Sequence, residues 1–333
     1  MEAGRIRAIG CNRSEMTRYA IDLECVRQAT ERIAPYAHRT PVLTCAALDV
    51  LAGRPLFFKC ENFQRVGAFK FRGACNAVLA LAGDVAARGV VTHSSGNHAQ
   101  ALALAASIRN IVAHVVMPHN AMPVKRRAVQ GYGATIYACE PTLAAREATA
   151  ARVMEQTGAV LIPPYDHGDI IAGQATVALE LMHDAAELDA LVAPVGGGGL
   201  LSGICIAARA INPAIRLFGA EPTGADDAAR SLAAGRLIPQ TGANTLADGL
   251  LTSLGQLTWP IIRDHVERII TVSDDKTIQA MRLVWERMKI IIEPSSAVAV
   301  AAALGDEFRS LDGMSRVGVV LSGGNVDLDR LPW

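Results

Sequence analysis

The chain has 333 residues, of which 51% are hydrophobic and 19% charged, which excludes an intrinsically disordered protein. Lysine plus arginine and aspartate plus glutamate balance at 32 each, and no basic stripe carries interleaved aromatics, so nothing in the charge pattern serves a nucleic-acid partner. The length accommodates two linked domains.

Residues 1–21 read as an extension with no apolar signal core, and Met16 offers an alternative start. The seven cysteines are scattered, without a close metal-type pair, and several lie in apolar runs. Reduced thiols in a soluble, cytoplasmic protein are the expectation. Asp22 is placed to cap a helix running to Tyr36, with Val26, Ala29 and Ile33 on one face. A short strand at 41–44 and a helical turn or two at 46–51 follow. Residues 56–60 then form an apolar strand, a polar turn closes at Gly67, and a helix begins near Ala68. Lys70 thus falls in a helix's first turn, after Phe69 and ahead of the apolar run 74–81. The helix dipole and the apolar backing both push its amine towards the neutral form that a Schiff-base lysine needs.

From Gly89 the chain alternates strands at 90–93, 112–117, 135–138 and 160–162 with helices at 96–108, 124–131 and 142–156. Short links between them imply a parallel sheet flanked by helices. A longer helix at 170–188 comes next, then a strand at 190–195 and a helix at 200–211. The uncharged stretch 190–208 is long enough to span a bilayer, but Pro194 and the run Gly196 to Gly199 would break a spanning helix, so no membrane segment is expected. Strands at 215–220 and 269–272 enclose an irregular, glycine-rich region. Helices at 275–288 and 295–304 lead to a last strand at 317–321. The fold class is therefore α/β, in two domains that each carry an open, mostly parallel sheet. Residues 22–88 and 161–333 form the large one, and 89–160 is a smaller insertion.

Ligands bind such sheets where strands end and helices begin, and three strand ends here carry unusual loops. The first contains Ser94, Ser95, Asn97 and His98, whose hydroxyls, amide and helix N-terminal N–H groups suit a carboxylate. The second is Gly196-Gly197-Gly198-Gly199, in which successive backbone N–H groups can turn towards one phosphate. It lacks the lysine of a GxxxxGK[ST] loop. The third is Ser322-Gly323-Gly324-Asn325, where a serine can hydrogen-bond a ring nitrogen without carrying charge. A reactive-type lysine, a phosphate loop, a carboxylate loop and a neutral ring partner together describe a site for pyridoxal 5'-phosphate.

With these pieces in place the sequence resembles the fold-type II pyridoxal-phosphate enzymes (the tryptophan synthase β-like fold), in particular the serine/threonine dehydratase and serine racemase family, which also takes in threo-3-hydroxyaspartate ammonia-lyases. The resemblance runs from Leu23 to Asp327. It rests on ENFQRVGAFKFRGA, THSSGNHAQAL, PVGGGGLLSG, GAEP with ADD, LVWERMK with IIEP, and VVLSGGNVDL, in the family's order and spacing.

The resemblance implies roles. Lys70 carries the cofactor and then takes and returns the Cα proton on one face, with Phe69 flanking the ring. Gly196, Gly197, Gly198, Gly199 and Leu200 hold the phosphate through backbone N–H groups, Asn97 bonds the phenolic oxygen and Ser322 the pyridine nitrogen. Ser94, Ser95, Asn97 and His98 bind the substrate carboxylate. Ser95 matches the residue that protonates Cα from the opposite face in the racemases, and Arg146 matches a residue approaching the substrate end. Glu221, Ala225 and Asp227 match a divalent cation site, whose hard oxygen donors suit Mg²⁺, Mn²⁺ or Ca²⁺. A homodimer is implied too. Ala68 stands where many relatives carry Ser or Thr. Arg65-Val66 replaces the Lys-Thr that serves a nucleotide site in animal serine racemases, which argues against ATP activation.

The leading expectation is an ammonia-lyase acting on serine, threonine or threo-3-hydroxyaspartate, because a neutral serine on the ring nitrogen weakens the electron sink and favours loss of a β-substituent. The alternative is a serine or aspartate racemase, alone or with dehydratase activity. A cofactor-binding protein without catalysis is the third reading, and Lys70, Ser95 and the full phosphate loop argue against it.

Overall fold

A computed structural model of the protein describes residues 18–121 and 123–333. The expected N-terminal extension lies, as far as residue 17, outside the described residues. Ten strands among the described residues form two sheets: β1 (Val42–Leu43), β2 (Leu56–Cys60), β3 (Val90–His93), β4 (Ala113–Pro118), β5 (Thr135–Cys139), β6 (Val160–Leu161), β7 (Ala190–Pro194), β8 (Arg216–Pro222), β9 (Arg268–Val272) and β10 (Val317–Leu321). The six-stranded sheet runs β1-β2-β10-β7-β8-β9 and the four-stranded sheet β5-β4-β3-β6. All pairings are parallel except that of β1 with β2. The expected α/β class with open, mostly parallel sheets is what the chain forms.

The apolar runs explain the layering. Every residue of β4, β7 and β10 is buried, as parallel strands covered on both faces require. On one face of the larger sheet the helices Leu23–Ile33, Gly168–Asp184 and Gly199–Ile211 share a core built on Val26, Ala175, Leu181 and Ile204. On the other, the helix Pro294–Leu304 packs with Phe58, Phe218 and Met281. A third core, with Phe71, Val78 and Leu102, joins the helix Lys70–Ala80 to the helix Asn97–Ile108. Among the described residues no helix is long and apolar enough to cross a membrane. Cys45, Cys60, Cys75, Cys139 and Cys205 are free thiols as expected, whereas Cys25 is disulfide-bonded, a departure from that expectation.

Two elements differ from the sequence reading. The helix expected over 170–188 stops at Asp184, because the chain turns through Glu187 (φ 60°) to deliver Asp189. The Asp189 carboxylate accepts the backbone N–H groups of Ser315 (2.7 Å) and Arg316 (2.8 Å) and so pins the approach to β10. The region expected to be irregular before β9 holds the helices Asp227–Ala234 and Thr258–His265. The first of these is anchored from a distance: Glu221, at the end of β8, accepts the N–H groups of Ala228 (3.1 Å) and Ala229 (2.9 Å). Asp226 occupies the N-cap position but makes no side-chain cap bond.

The helix Gly168–Asp184 crosses the helix Lys70–Ala80 at backbone contact. A Cβ on Gly173 would lie 2.6 Å from both the Arg72 carbonyl oxygen and the Gly73 Cα. Neither atom can yield without moving the helix that carries Lys70. Gly173→Ala is therefore expected to destabilise the protein by about 1–3 kcal/mol in urea denaturation, despite alanine's better helix propensity. Gly131→Ala, where a Cβ meets open space, serves as the control and should be neutral or slightly stabilising.

Candidate active site

The site is assembled at the carboxyl ends of β2, β3, β7 and β10. After β2 the chain makes two short turns, Glu61–Phe63 and Arg65–Gly67, with Val66 (φ 56°) and Gly67 (φ 70°) both left-handed. Ala68 pairs with Gly323, and the Phe69 N–H donates to the Ser322 carbonyl oxygen at 3.0 Å. The start of the Lys70 helix is thus bonded to the loop after β10. Lys70 is the first residue of that helix, half-buried, and its Nζ donates to the Pro164 carbonyl oxygen at 2.7 Å. Nζ also lies 5.1 Å from the Phe69 ring centroid. Desolvation pulls the Lys70 pKa down to about 8, and the nearby Glu293 carboxylate opposes that fall.

The glycine loop follows β7. Gly198 adopts φ 87°, and the helix Gly199–Ile211 begins beside it, so the first N–H groups of that helix are left for a ligand. The loop's own surroundings demand glycine. A Cβ at Gly196 would lie 3.0 Å from the Leu250 Cα, at Gly198 2.8 Å from Thr258 Oγ1, and at Gly199 3.0 Å from the Tyr165 Cβ; at Gly197 it would enter the Tyr165 ring. Thr258 Oγ1 donates to the Gly197 carbonyl oxygen (2.9 Å), which fixes the loop from behind. This is a rigid, side-chain-free cradle whose donor groups suit a phosphate. Pro164 and Tyr165 form the link between Lys70 and the cradle.

On the four-stranded sheet, Ser94 and Ser95 are half-buried beyond β3, and the helix Asn97–Ile108 starts after Gly96. The His98 ring is buried, with Nε2 3.0 Å from the Ile162 carbonyl oxygen. Burial, with Lys70 adding to it, drives its pKa to about 3, so the ring stays neutral. Ser322 is buried at the end of β10. Arg146 sits on the helix Leu143–Thr157, half-buried and within electrostatic reach of His93 at the end of β3. Its Nε is buried without a hydrogen-bond partner among the described residues.

Glu221 and Asp227 are buried behind the glycine loop. Asp227 accepts the Leu254 N–H at 3.0 Å, and Leu254 packs against Gly198. The other Asp227 oxygen, Oδ1, is buried with no partner among the described residues. Burial, above all, pushes Glu221 up to about 8 and Asp227 up to about 6, as expected where an added positive charge would be welcome. No cluster of three or more His, Cys, Asp or Glu side chains is set to hold a metal among the described residues. The expected set contains two carboxylates and a carbonyl, and the orphaned Asp227 oxygen suits a hard cation.

Two contributors were not singled out from the sequence, the Pro164-Tyr165 pair and Glu293, and Asn325 was named in its loop without a role. Glu293 is 4% exposed and accepts from Asn97 Nδ2 with both oxygens, at 2.9 and 3.1 Å. The signal for it was present in the IIEP motif, where a charged residue stands amid apolar ones immediately before a helix with proline at its start.

A lysine with a lowered pKa, joined through Pro164-Tyr165 to a glycine cradle suited to phosphate, fits an aldehyde-bearing, phosphorylated cofactor. The family profile described as pyridoxal-phosphate dependent enzyme matches residues 33–323, and the chain belongs to that family. It is 51% identical to a serine racemase of Arabidopsis thaliana over 317 residues, covering 94% of this chain and 96% of the relative. It is 48% identical to a beta-hydroxyaspartate dehydratase of Paracoccus denitrificans over 315 residues, covering 95% and 99%. The structure of maize serine racemase superposes with a TM-score of 0.92 at 50% identity, covering 93% of this chain and 95% of that one.

The jammed contact of Tyr165 with the glycine loop yields a measurable coupling. Gly197→Ala should cost about 1–3 kcal/mol in denaturation, and less in a Tyr165→Ala background where the space is open. The double-mutant cycle reads the difference.

Proposed function

We propose that the protein is a pyridoxal-phosphate-dependent ammonia-lyase that removes the β-hydroxyl and amino groups of serine, threonine or threo-3-hydroxyaspartate, giving a 2-oxo acid and ammonia. The observation that carries this reading is Lys70, a desolvated amine at a helix start, bonded to the Pro164 carbonyl and joined through Pro164-Tyr165 to the glycine cradle. When bound, pyridoxal phosphate supplies the electron sink for the pair left behind as Cα loses its proton.

In this reading Lys70 anchors the cofactor and then accepts the Cα proton. The backbone of Gly196 to Gly199 and Leu200 holds the phosphate, Asn97 and Ser322 hydrogen-bond the ring, and Phe69 lies beside it. Ser94, Ser95 and Asn97 bind the substrate carboxylate, and His98 adds its backbone N–H, since its ring is already bonded to Ile162. The β-hydroxyl departs as water, carrying off one proton that balances the one taken from Cα, and the released enamine takes up water to give oxo acid and ammonia. Ser322 favours this outcome because a neutral hydroxyl cannot keep the ring nitrogen protonated. The half-buried Arg146, with its unpartnered Nε, is the cation we assign to a second substrate carboxylate.

The second reading, a serine or aspartate racemase, is supported by the 51% identity to the Arabidopsis enzyme, and Ser95 would supply the proton from the opposite face. Incubation with L-serine, D-serine, L-threonine and L-threo-3-hydroxyaspartate separates the two. Oxo acid and ammonia without the other enantiomer are expected; accumulating D-amino acid with little oxo acid would establish the racemase. Lys70→Ala should abolish the cofactor's absorbance band and all turnover. Ser95→Ala should suppress racemisation far more than elimination.

We also assign a divalent cation to Glu221, Asp227 and the Ala225 carbonyl, within a homodimer. The support is the orphaned, buried Asp227 Oδ1 and the raised pKa of both carboxyls. Added Mg²⁺, Mn²⁺ or Ca²⁺ should raise the melting temperature by several degrees over the chelator-treated protein, about 4 kcal/mol at a thousandfold excess over Kd. Asp227→Asn should lose most of that gain.

A further inference from the structure

Glu293 precedes the helix Pro294–Leu304, but its carboxylate, instead of capping that helix, turns to the cofactor side of the molecule. Its two oxygens take the Asn97 amide nitrogen, and Oε2 also accepts the Asn325 backbone N–H at 3.1 Å. The opposite end of the Asn97 carboxamide, Oδ1, accepts from Asn325 Nδ2 at 2.9 Å, and that nitrogen is itself tied to the Val66 carbonyl oxygen at 2.7 Å. We infer that Glu293 is a positioning residue that orients the Asn97 carboxamide towards the cofactor ring, and that it does so only as a carboxylate. The inference rests on the role proposed for Asn97 at the ring.

The reason lies in donor and acceptor counting. An ionised carboxylate only accepts, so it demands the NH₂ end of Asn97 and rejects the carbonyl end. A protonated carboxyl has an O–H that can satisfy the Asn97 carbonyl as well, so one of the two constraints on the amide's orientation is lost. Asn325 alone then selects it.

Charged groups reach Glu293 from three elements: Lys70 on the helix Lys70–Ala80, Lys125 on the helix Pro123–Gly131, and Asp248 in the turn Asp248–Leu250. Lys125 and Asp248 are ion-paired with each other. Burial pushes Glu293 up to about 7 and Asp248 adds to this, while Asn97, the Asn325 N–H and Lys125 oppose it. Below that pH the carboxyl is neutral and Asn97 is loosened; above it Asn97 is locked. Cofactor affinity should therefore fall as the pH falls through the Glu293 range.

The test measures the dissociation constant of pyridoxal phosphate, from the loss of its absorbance on dialysis of the holoenzyme, between about pH 5.5 and pH 8.5. The wild-type constant should rise about tenfold on acidification, the scale of one charge-assisted hydrogen bond. Glu293→Gln should bind weakly throughout and show only the pH dependence that phosphate ionisation and Lys70 protonation impose on every variant. Asp248→Asn removes a negative charge facing Glu293 and frees Lys125, so its midpoint should move to lower pH. Identical profiles for wild type and Glu293→Gln, or an unmoved midpoint in Asp248→Asn, would overturn the inference; the Asp248→Asn result decides alone if Glu293→Gln does not fold. Wild-type protein that binds no cofactor at any pH would remove the proposed function as well, whereas binding with an unaltered profile removes only the role of Glu293.

Discussion

The position of Lys70 depends on a buried arginine two residues further along. Arg72 is fully buried, and its guanidinium bonds Glu61 with Nε and Nη2 and Glu180 with Nη1 and Nη2, at 2.7 to 2.8 Å. Lys59 closes the cluster on Glu180 (2.6 Å), and Thr40 donates to Glu61 (2.5 Å). Three segments meet there: the end of β2, the Lys70 helix and the helix Gly168–Asp184. A buried ion cluster is a poor source of net stability, because desolvation offsets much of the attraction, but removing one member strands the others. Its effect is geometric. It fixes the rotation of the Lys70 helix about its axis, while the Gly73–Gly173 contact fixes its distance from the neighbouring helix.

Around that fixed helix the site is kept nearly free of permanent charge. The lysine is biased towards the amine, the histidine is held neutral, Ser322 is uncharged, and the carboxylate in contact with the Asn97 amide is poised near neutrality. Each of these biases comes first from burial. A doubly charged phosphate would thus be the dominant local charge in the chamber, met by backbone dipoles and not by a cation of the glycine loop.

Much of this was legible in the sequence where the chemistry is local. The strand-turn-helix placing Lys70, the four glycines between two apolar elements, and the polar loops after β3 and β10 are each written in one short, continuous stretch of chain. What stayed hidden is what arrives from elsewhere in the chain. Glu293 reaches Asn97 across 196 positions and Pro164 reaches Lys70 across 94. The helix Asp227–Ala234 was missed because its N–H groups are satisfied by Glu221 and not by its own cap residue. The glycines were read as room for a ligand, whereas the structure shows them equally as room for Tyr165, Leu250 and Thr258.

That last point bears on how the chain can change over generations. Position 197 is filled from behind by the ring of Tyr165 and position 199 by that residue's Cβ and backbone, so a single codon change at either meets a wall before any question of cofactor arises. At 197 the acceptable route away from glycine passes through a smaller residue at 165 first, and that step opens a void beside the segment that holds Lys70. The loop and Tyr165 are therefore bound to drift together or not at all, and a lineage that has shrunk the aromatic should be the one in which the glycine run is broken.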